Sequence, residues 1–536
     1  MSPLLHDYLV ASAQAAPEST AVVMGAEAMT YAQLDAMSNR IARVLVEAGC
    51  RRHDRVCVLA DKTPATIAAL IGVLKAGAAY VPIDVASPAV RTGRMLEKAE
   101  PRAIVVTTET LAHVEDLMAL EALPVGAALV GLDTDGDAGR RASLAFGSSD
   151  LRQADAEEFS APSQEDDPAQ ILFTSGSTGA PKGVVVTHRA AAGFIDWAVP
   201  HFGISAQERL SGHPPLYFDL STFDIYGAMK ALAELHLVPP ATILPRQLAE
   251  FILASGLTQL FCVPSVMAYL VHFDALPEDG FPALRRVLWC GEVLPTPVLI
   301  EWMRRVPQAS FTNLYGPTET TIASSYHSIS EVPADPTQPI PIGTACGGEE
   351  LLVVDELAQP VPDGKTGELA IGGIGLSPGY WREPSMTARS FVSDPRPGHD
   401  GERLYRTGDL ASRREDGVFL FLGRTDSQIK SRGYRIELGE IEAAVAALPG
   451  VAECAVVGLP TSGFEGTSIC CAYVPMPVDE LDPVTITNQL RRTLPGYMIP
   501  ARWQRLSSLP RNSNGKIDRA HLREQFSGTV AGVLTA

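Results

Sequence analysis

Between Thr174 and Gly183 the chain reads TSGSTGAPKG: three glycines, four hydroxyl side chains and one lysine in ten residues. Apolar runs, Ile171–Phe173 and Val184–Val186, enclose it. Gly176, Gly179 and Gly183 let successive backbone N–H groups turn toward an anion. Thr174, Ser175, Ser177 and Thr178 add hydroxyl donors, and Lys182 adds charge. This is phosphate-binding chemistry. A Walker loop, however, has lysine directly after its second glycine and Ser or Thr after the lysine. Lys182 instead stands three residues beyond Gly179 and is followed by Gly183. A flexible Gly/Ser linker has a similar composition, but rarely sits tightly between two strand-like runs.

Four further stretches hold residues able to do chemistry: PLYFDLSTFDIYG (215–227), NLYGPTE (313–319), YRTGDLA (405–411) and NGKIDR (514–519). Each has a plain structural alternative when taken alone. Asp219 is an ordinary turn or N-cap aspartate, Glu319 a surface residue after a Pro-Gly turn, and Lys516 a turn lysine after Asn-Gly.

The elements that must position these residues alternate. Strand-like runs RVCVLA (55–60) and AIVVTT (103–108) flank the helix-like TPATIAALIGVLKAGA (63–78). Such alternation predicts an α/β architecture with parallel sheets. The polar, acidic stretch 131–170 reads as a surface connection ahead of the glycine-rich loop. The character changes again near Gly423. Glu440, Ile441, Ala444, Val445 and Leu448 keep helical spacing, with Pro449 as the stop. Strand-like AECAVVGLP and ICCAYVPM follow, then helix-like ITNQLRRTL, which together predict a small α+β domain.

The 536 residues exceed one ordinary core, so two or more domains are expected. A formal net charge of −19 argues against nucleic acid or an anionic membrane as the main partner, since both select basic surfaces. The eight cysteines show no C-x-x-C and no metal-type spacing, which predicts free thiols and a cytoplasmic protein. The opening segment lacks a basic leader, and no apolar stretch approaches spanning length.

The motif TSGSTGxPKG resembles the signature of the adenylate-forming superfamily: acyl-CoA synthetases, luciferases and the adenylation domains of nonribosomal peptide synthetases. LKAGAAYVPID (74–84), NLYGPTE, GELAIGGIGLSPGYW (367–381), YRTGDLA, GRTDSQIKSRGYRIELGEIE (423–442), LPGYMIP (494–500) and NGKIDR resemble the family's core motifs in order, over nearly the whole chain. The resemblance implies a large N-terminal domain (1–425) of parallel-rich sheets with flanking helices. A small mobile α+β C-terminal domain (426–536) would be hinged at Asp426. It implies ATP and Mg²⁺, and a reaction in two halves. A carboxylate attacks the α-phosphorus of ATP to give an acyl-adenylate and pyrophosphate; a thiol then attacks the adenylate.

By the same resemblance, Thr174, Ser175, Gly176, Ser177, Thr178, Gly179 and Lys182 hold the β- and γ-phosphates. Tyr315 stacks on adenine, Asn313 bonds its amino edge, and Gly291 belongs to the nucleotide site. Thr318 reaches the α-phosphate and Glu319 holds Mg²⁺. Asp409 accepts the ribose hydroxyls, and Arg424 contacts the nucleotide. Lys516 bridges the substrate carboxylate and the α-phosphate. In the second half-reaction the segment 430–435, around Gly433, replaces Lys516 and builds a thiol tunnel.

Asp219 lies where amino-acid-activating members pair an aspartate with the substrate ammonium. The carried-over pocket is Asp219, Leu220, Phe223, Cys262, Leu288, Cys290, Leu314, Ile322 and Ala323, closed by Lys516. Apart from Asp219 and Lys516 it offers no charge, and an unpaired buried charge would be costly. A small neutral amino acid is therefore expected, alanine first, with proline or a mid-sized aliphatic as rivals. An acyl-CoA ligase for a non-amino acid is the alternative. No carrier-domain sequence appears, so the chain resembles stand-alone aminoacyl ligases. These load the phosphopantetheine of a separate carrier protein in antibiotic pathways, including macrolactam polyketide assembly. The basic residues between Arg491 and Glu524 form the candidate docking region for that carrier.

Overall fold

The computed structural model describes residues 3–135, 145–176, 180–239, 242, 244–461, 466–476, 481–512 and 516–531. Two sheets dominate the N-terminal part. The nine-stranded one is parallel through Thr20–Met24, Glu234–Leu237, Arg209–Gly212, Gln259–Cys262, Arg286–Trp289 and Ser310–Tyr315, with antiparallel edges. The six-stranded one runs Ala128–Gly131, Ala103–Val106, Arg55–Leu59, Ala79–Pro82, Pro168–Thr174, Lys182–Thr187, and only the last pairs antiparallel. That antiparallel hairpin carries the glycine-rich loop at its turn.

One core joins the two sheets. It contains Val56, Val58 and Tyr80 from the smaller and Val22, Leu210, Leu235, Phe261 and Leu288 from the larger, with helices between them. The helix Pro64–Lys75 shows why. It has Pro at its first position, Thr63 accepts the Thr66 N–H at 3.1 Å, and every residue except Ala65 is buried. A helix apolar on all sides is stable only when covered on all sides.

A third sheet is built on Glu349–Val354, Thr366–Gly373 and the long strand Arg403–Arg413, paired with Phe419–Arg424. After it comes the hairpin Gln428–Ser431/Tyr434–Glu437, then a three-stranded sheet (Val451–Pro460, Thr467–Pro475, Arg502–Arg505). That small unit has cores of its own, holding Ile441, Val445, Ile486, Leu490, Leu522 and Phe526. The fold is thus mixed α/β, a large sheet-rich N-terminal part and a smaller C-terminal one.

Local expectations fared unevenly. The expected helix with Glu440 and Ile441 spans Leu438–Ala446. The later one spans Pro483–Leu490, starting earlier than the ITNQLRRTL run because Asp482 caps it with bonds to the Val484 and Thr485 N–H groups. The supposed connection 131–170 holds a helix, Ser148–Gln153, and the start of a central strand at Pro168. All eight cysteines are free. Among the described residues, no helix is long and apolar enough to cross a membrane.

Candidate active site

A cleft of about 110 Å³ opens where the two sheets, the third sheet and the 428–437 hairpin meet. Thr174, Ser175, Asp219, Leu220, Cys290, Gly291, Thr318, Asp409 and Arg424 line it. Lys430, Gly433, Tyr434, Arg435 and Tyr497 come to it from the C-terminal part. Ser177, Thr178 and Gly179 lie outside the described residues, and Gly176 continues the loop from Ser175.

Glu319 is the electrostatic centre. It is 0% exposed. Its Oε1 accepts from Lys182 Nζ at 3.1 Å and the Tyr380 hydroxyl at 2.8 Å; its Oε2 accepts from Arg435 Nη1 at 2.6 Å. Burial would raise this carboxyl, but Arg435, Lys182 and Tyr380 override it and hold it below the usual carboxylate range. Lys182 is pushed down by its own burial, against the opposing pull of Glu319. The chain just beyond is strained: Thr321 and Ile322 have φ of 59° and 70°. Left-handed backbone at a β-branched residue is uncommon and is stored where a site requires it.

Asp409, on the long strand, accepts from the Tyr315 hydroxyl and from Arg424. Arg424 also donates to Asp426 at 2.7 and 2.8 Å. Asn313 donates to the Pro341 carbonyl at 2.8 Å, and the Lys430 ammonium lies 5.9 Å from the Tyr315 ring centroid.

Asp219 occupies the N-cap position of the helix Leu220–Ala231 yet makes no capping hydrogen bond. The capping explanation for this aspartate therefore fails. It is 7% exposed, and burial lifts its carboxyl to about 6, against smaller opposing contributions from Thr318 and Lys430. Leu220 and Cys290 line the cleft beside it, while Phe223, Leu288, Leu314, Ile322 and Ala323 lie behind in the main core.

Cys262 requires correction. Side chains alternate faces along a strand. On Gln259–Cys262, Cys262 points into a second core with Leu260, Met267 and Trp289, on the far face of the sheet. Its neighbour Phe261 faces the site side, 5.7 Å from the Phe223 ring centroid. Neighbouring residues of one strand thus serve opposite faces, and Phe261 rather than Cys262 stands on the pocket side. Phe194 and Phe202 also pack on Phe223, at 5.4 and 6.3 Å.

Lys516 is exposed and does not line the cleft; its backbone N–H bonds Asn512 Oδ1 at 3.1 Å. The 428–437 hairpin stands at the site instead. Ser175 Oγ donates to the Arg435 carbonyl at 2.6 Å and accepts from the Glu437 N–H at 3.2 Å. Tyr434 stacks on Tyr497 at 3.6 Å between centroids and reaches Tyr217 hydroxyl to hydroxyl at 3.3 Å. Arg91 pairs with Glu440 across the same junction. Gly433 has φ +81°, and a Cβ there would lie 2.7 Å from Val263, so close approach requires glycine.

Sequence reasoning missed Tyr380, Arg91, Tyr217 and Phe261. Tyr380 and Tyr217 had a signal, their places inside the 367–381 and 215–227 motifs. The basic run also shrinks: Arg502 donates to the Phe526 carbonyl, while Arg511 and Arg519 pair with Glu453 and Glu442. Arg491 and Arg492 remain exposed.

A phosphate loop, a buried glutamate between cations and a two-part α/β fold define an adenylate-forming ligase. The family profile "AMP-binding enzyme" matches residues 9–381, and "AMP-binding enzyme C-terminal domain" matches 440–516. The chain belongs to the AMP-binding enzyme family, whose reactions use ATP. It is 35% identical to a dimodular nonribosomal peptide synthase of Bacillus subtilis over 542 residues, covering 98% of this chain and 21% of that one. Curated relatives are much longer: the chain spans between 6% and 45% of their length. Among solved structures it is similar to the Vibrio cholerae adenylation domain AlmE, in complex with glycyl-adenosine-5'-phosphate (TM-score 0.81, 26% identity, 98% of each chain). It is also similar to NpsA-ThdA, an artificially fused adenylation–PCP di-domain from Klebsiella oxytoca (TM-score 0.79, 26% identity, 95% of each chain).

Proposed function

We propose that this chain activates a small neutral amino acid, best L-alanine, as its aminoacyl-adenylate and passes it to the phosphopantetheine thiol of a separate carrier protein. The observation that carries the amino-acid reading is Asp219: a buried cleft carboxylate that makes no side-chain capping bond to its helix and, among the described residues, has no arginine or lysine hydrogen-bonded to it. A substrate ammonium supplies the missing partner. The ring cluster around Phe223 and Phe261 backs the pocket and supports a small side chain. The glycyl adenylate bound by AlmE and the PCP fused to NpsA support the same substrate and carrier classes.

In the first half-reaction a carboxylate oxygen bonds to the α-phosphorus as the bond to the β-phosphate bridging oxygen breaks. Charge builds on oxygens, so cations and N–H donors do the work and no protein nucleophile is needed. The 174–183 loop and Lys182 hold the departing pyrophosphate; Thr318 contacts the α-phosphate. Glu319 fits a one-carboxylate Mg²⁺ site, being a buried hard oxygen donor beside the phosphate loop, with Arg435 bonded to its Oε2. Mg²⁺ there supplies charge neutralisation on the phosphates. Lys516 enters when the unit beyond Asp426 turns about that hinge, replacing the 428–437 hairpin. In the second half the thiol attacks the acyl carbon and AMP leaves.

ATP–pyrophosphate exchange across the twenty amino acids tests the reading. Exchange with alanine or its small neighbours, and thioester formed on a carrier but not on coenzyme A, is the expected result. Exchange only with non-amino acids, or efficient transfer to coenzyme A, would instead favour the acyl-CoA ligase.

A further inference from the structure

Lys62 stands between the strand Arg55–Leu59 and the helix Pro64–Lys75, so its backbone belongs to the smaller sheet's side of the core. That backbone is held: the Thr66 hydroxyl donates to the Asp61 carbonyl at 2.6 Å. The side chain crosses to the larger sheet. Its ammonium donates to the carbonyls of Gly212, His213 and Pro214, the last two at 2.9 and 3.1 Å. An ammonium has three donors, so all are committed to three consecutive carbonyls. This occurs on the wall of a cavity of about 330 Å³ that Asp61 and Asp84 also line. A surface lysine pairs with such carboxylates or with water; this one is given to the backbone. Burial pulls the ammonium down to about 8, against the attraction of Asp224.

The three carbonyls end the strand Arg209–Gly212 and begin the turn that delivers Asp219. The turn is closed by the Phe218 N–H on the Pro215 carbonyl at 3.0 Å and by the Ser221 hydroxyl on the Phe218 carbonyl at 2.7 Å. Lys62 ties it to the opposite sheet. Asp224 lies on the helix Leu220–Ala231, five residues past Asp219 and so on another face. It is 1% exposed, and neither of its oxygens accepts a hydrogen bond from the described residues. Burial pushes its carboxyl up, and the Lys62 charge opposes this. Lys62 thus acts on both segments that flank Asp219, on the turn before it by three bonds and on the helix after it by charge.

We propose that Lys62 is a positioning residue for the ammonium pocket: by clamping the 212–214 carbonyls toward the smaller sheet, it sets where the Asp219 carboxylate stands in the cleft. The inference rests on the reading of Asp219 as the ammonium partner. Lys62 does not line the cleft, so it acts through the turn and not on the substrate. Without it the three carbonyls must find other donors, and the chain that carries Asp219 moves with them.

The test uses the full chain and ATP–pyrophosphate exchange. Removing Lys62 alone leaves Asp224 as a buried charge with nothing to oppose it. Lys62→Met is therefore made in an Asp224→Asn background, because neutralising both members of a buried pair is tolerated where removing one is not. Relative to Asp224→Asn, the double variant should raise KM for alanine at least about tenfold, the scale of a small displacement of a positioning group. KM for ATP should stay within about twofold, since Thr174, Thr318 and Asp409 come from other elements. The preference for alanine over propionate in kcat/KM should fall by about the same tenfold, because propionate has no ammonium to misplace. A merely structural lysine would change the amount of folded protein, and with it kcat, but neither alanine KM nor that preference. Unchanged alanine KM and preference, or equal rises in both KM values, overturns the inference. Asp219→Asn separates the two ideas. If it keeps the wild-type alanine KM and preference, the ammonium reading is wrong; if it loses both while the double variant keeps them, the positioning role alone is wrong.

Discussion

Replacing Asp219 by Asn should make this protein more stable and nearly inactive. The carboxyl has an ordinary value of 3.8 and is lifted to about 6 in the fold, chiefly by burial. Between those values the native state holds the proton more tightly than the unfolded chain. Stability therefore falls as pH rises from about 4 to about 6, and the loss is complete above that window. The difference corresponds to about 3 kcal/mol at neutral pH, as an upper figure. Asparagine fills the same volume, keeps an oxygen toward Thr318, and carries no charge to desolvate. Thermal midpoints of both proteins, measured from pH 4 to 8, should diverge as pH rises to about 6 and then stay apart, the Asn variant melting higher. The same substitution removes the partner of the substrate ammonium. Loss of one member of a buried charge pair costs about 2–5 kcal/mol, so kcat/KM for alanine-dependent exchange should drop by about 30-fold or more. Propionate, which lacks the ammonium, should not lose activity. A melting gap that stays constant with pH, or equal losses for alanine and propionate, would refute the reasoning.

Lys516→Ala should lower adenylate formation by several orders of magnitude, on the order of the contribution of a preorganised charge, while circular dichroism stays native; near-normal exchange would remove Lys516 from the mechanism. Asp426→Pro should spare exchange and impair thioester formation, because proline fixes φ at the hinge; equal loss of both halves would argue against a hinge there. Phe261→Ala should admit longer aliphatic amino acids and destabilise by about 3–5 kcal/mol, whereas Cys262→Ala should leave the preference order untouched; competition among amino acids in the exchange assay decides between the two faces of the strand. Reversing Arg491 and Arg492 to Glu should raise KM for the carrier at constant amino-acid activation, and an unaltered carrier KM would exclude that docking face.

Much of this was legible because it is local. Glycine spacing, an all-apolar helix such as Pro64–Lys75 and period-two strands depend on neighbours a few residues apart. The order of short motifs likewise survives in one dimension, so the phosphate-type loop and the α/β class could be read directly, and the family resemblance singled out Asp219. Face and distance could not. Phe261 and Cys262 are equally apolar, and only the register of Gln259–Cys262 in its sheet sends one toward the pocket and the other into a separate core. The partners of Glu319 come from residues 182, 380 and 435, and no spacing announces that they share one carboxylate. Whether Lys516 or Arg435 faces the cleft depends on how the C-terminal unit sits against the sheets. The sequence by itself determined which chemistry is available. The tertiary structure decided which charges meet, because burial and Coulomb attraction act through space while the chain records only order.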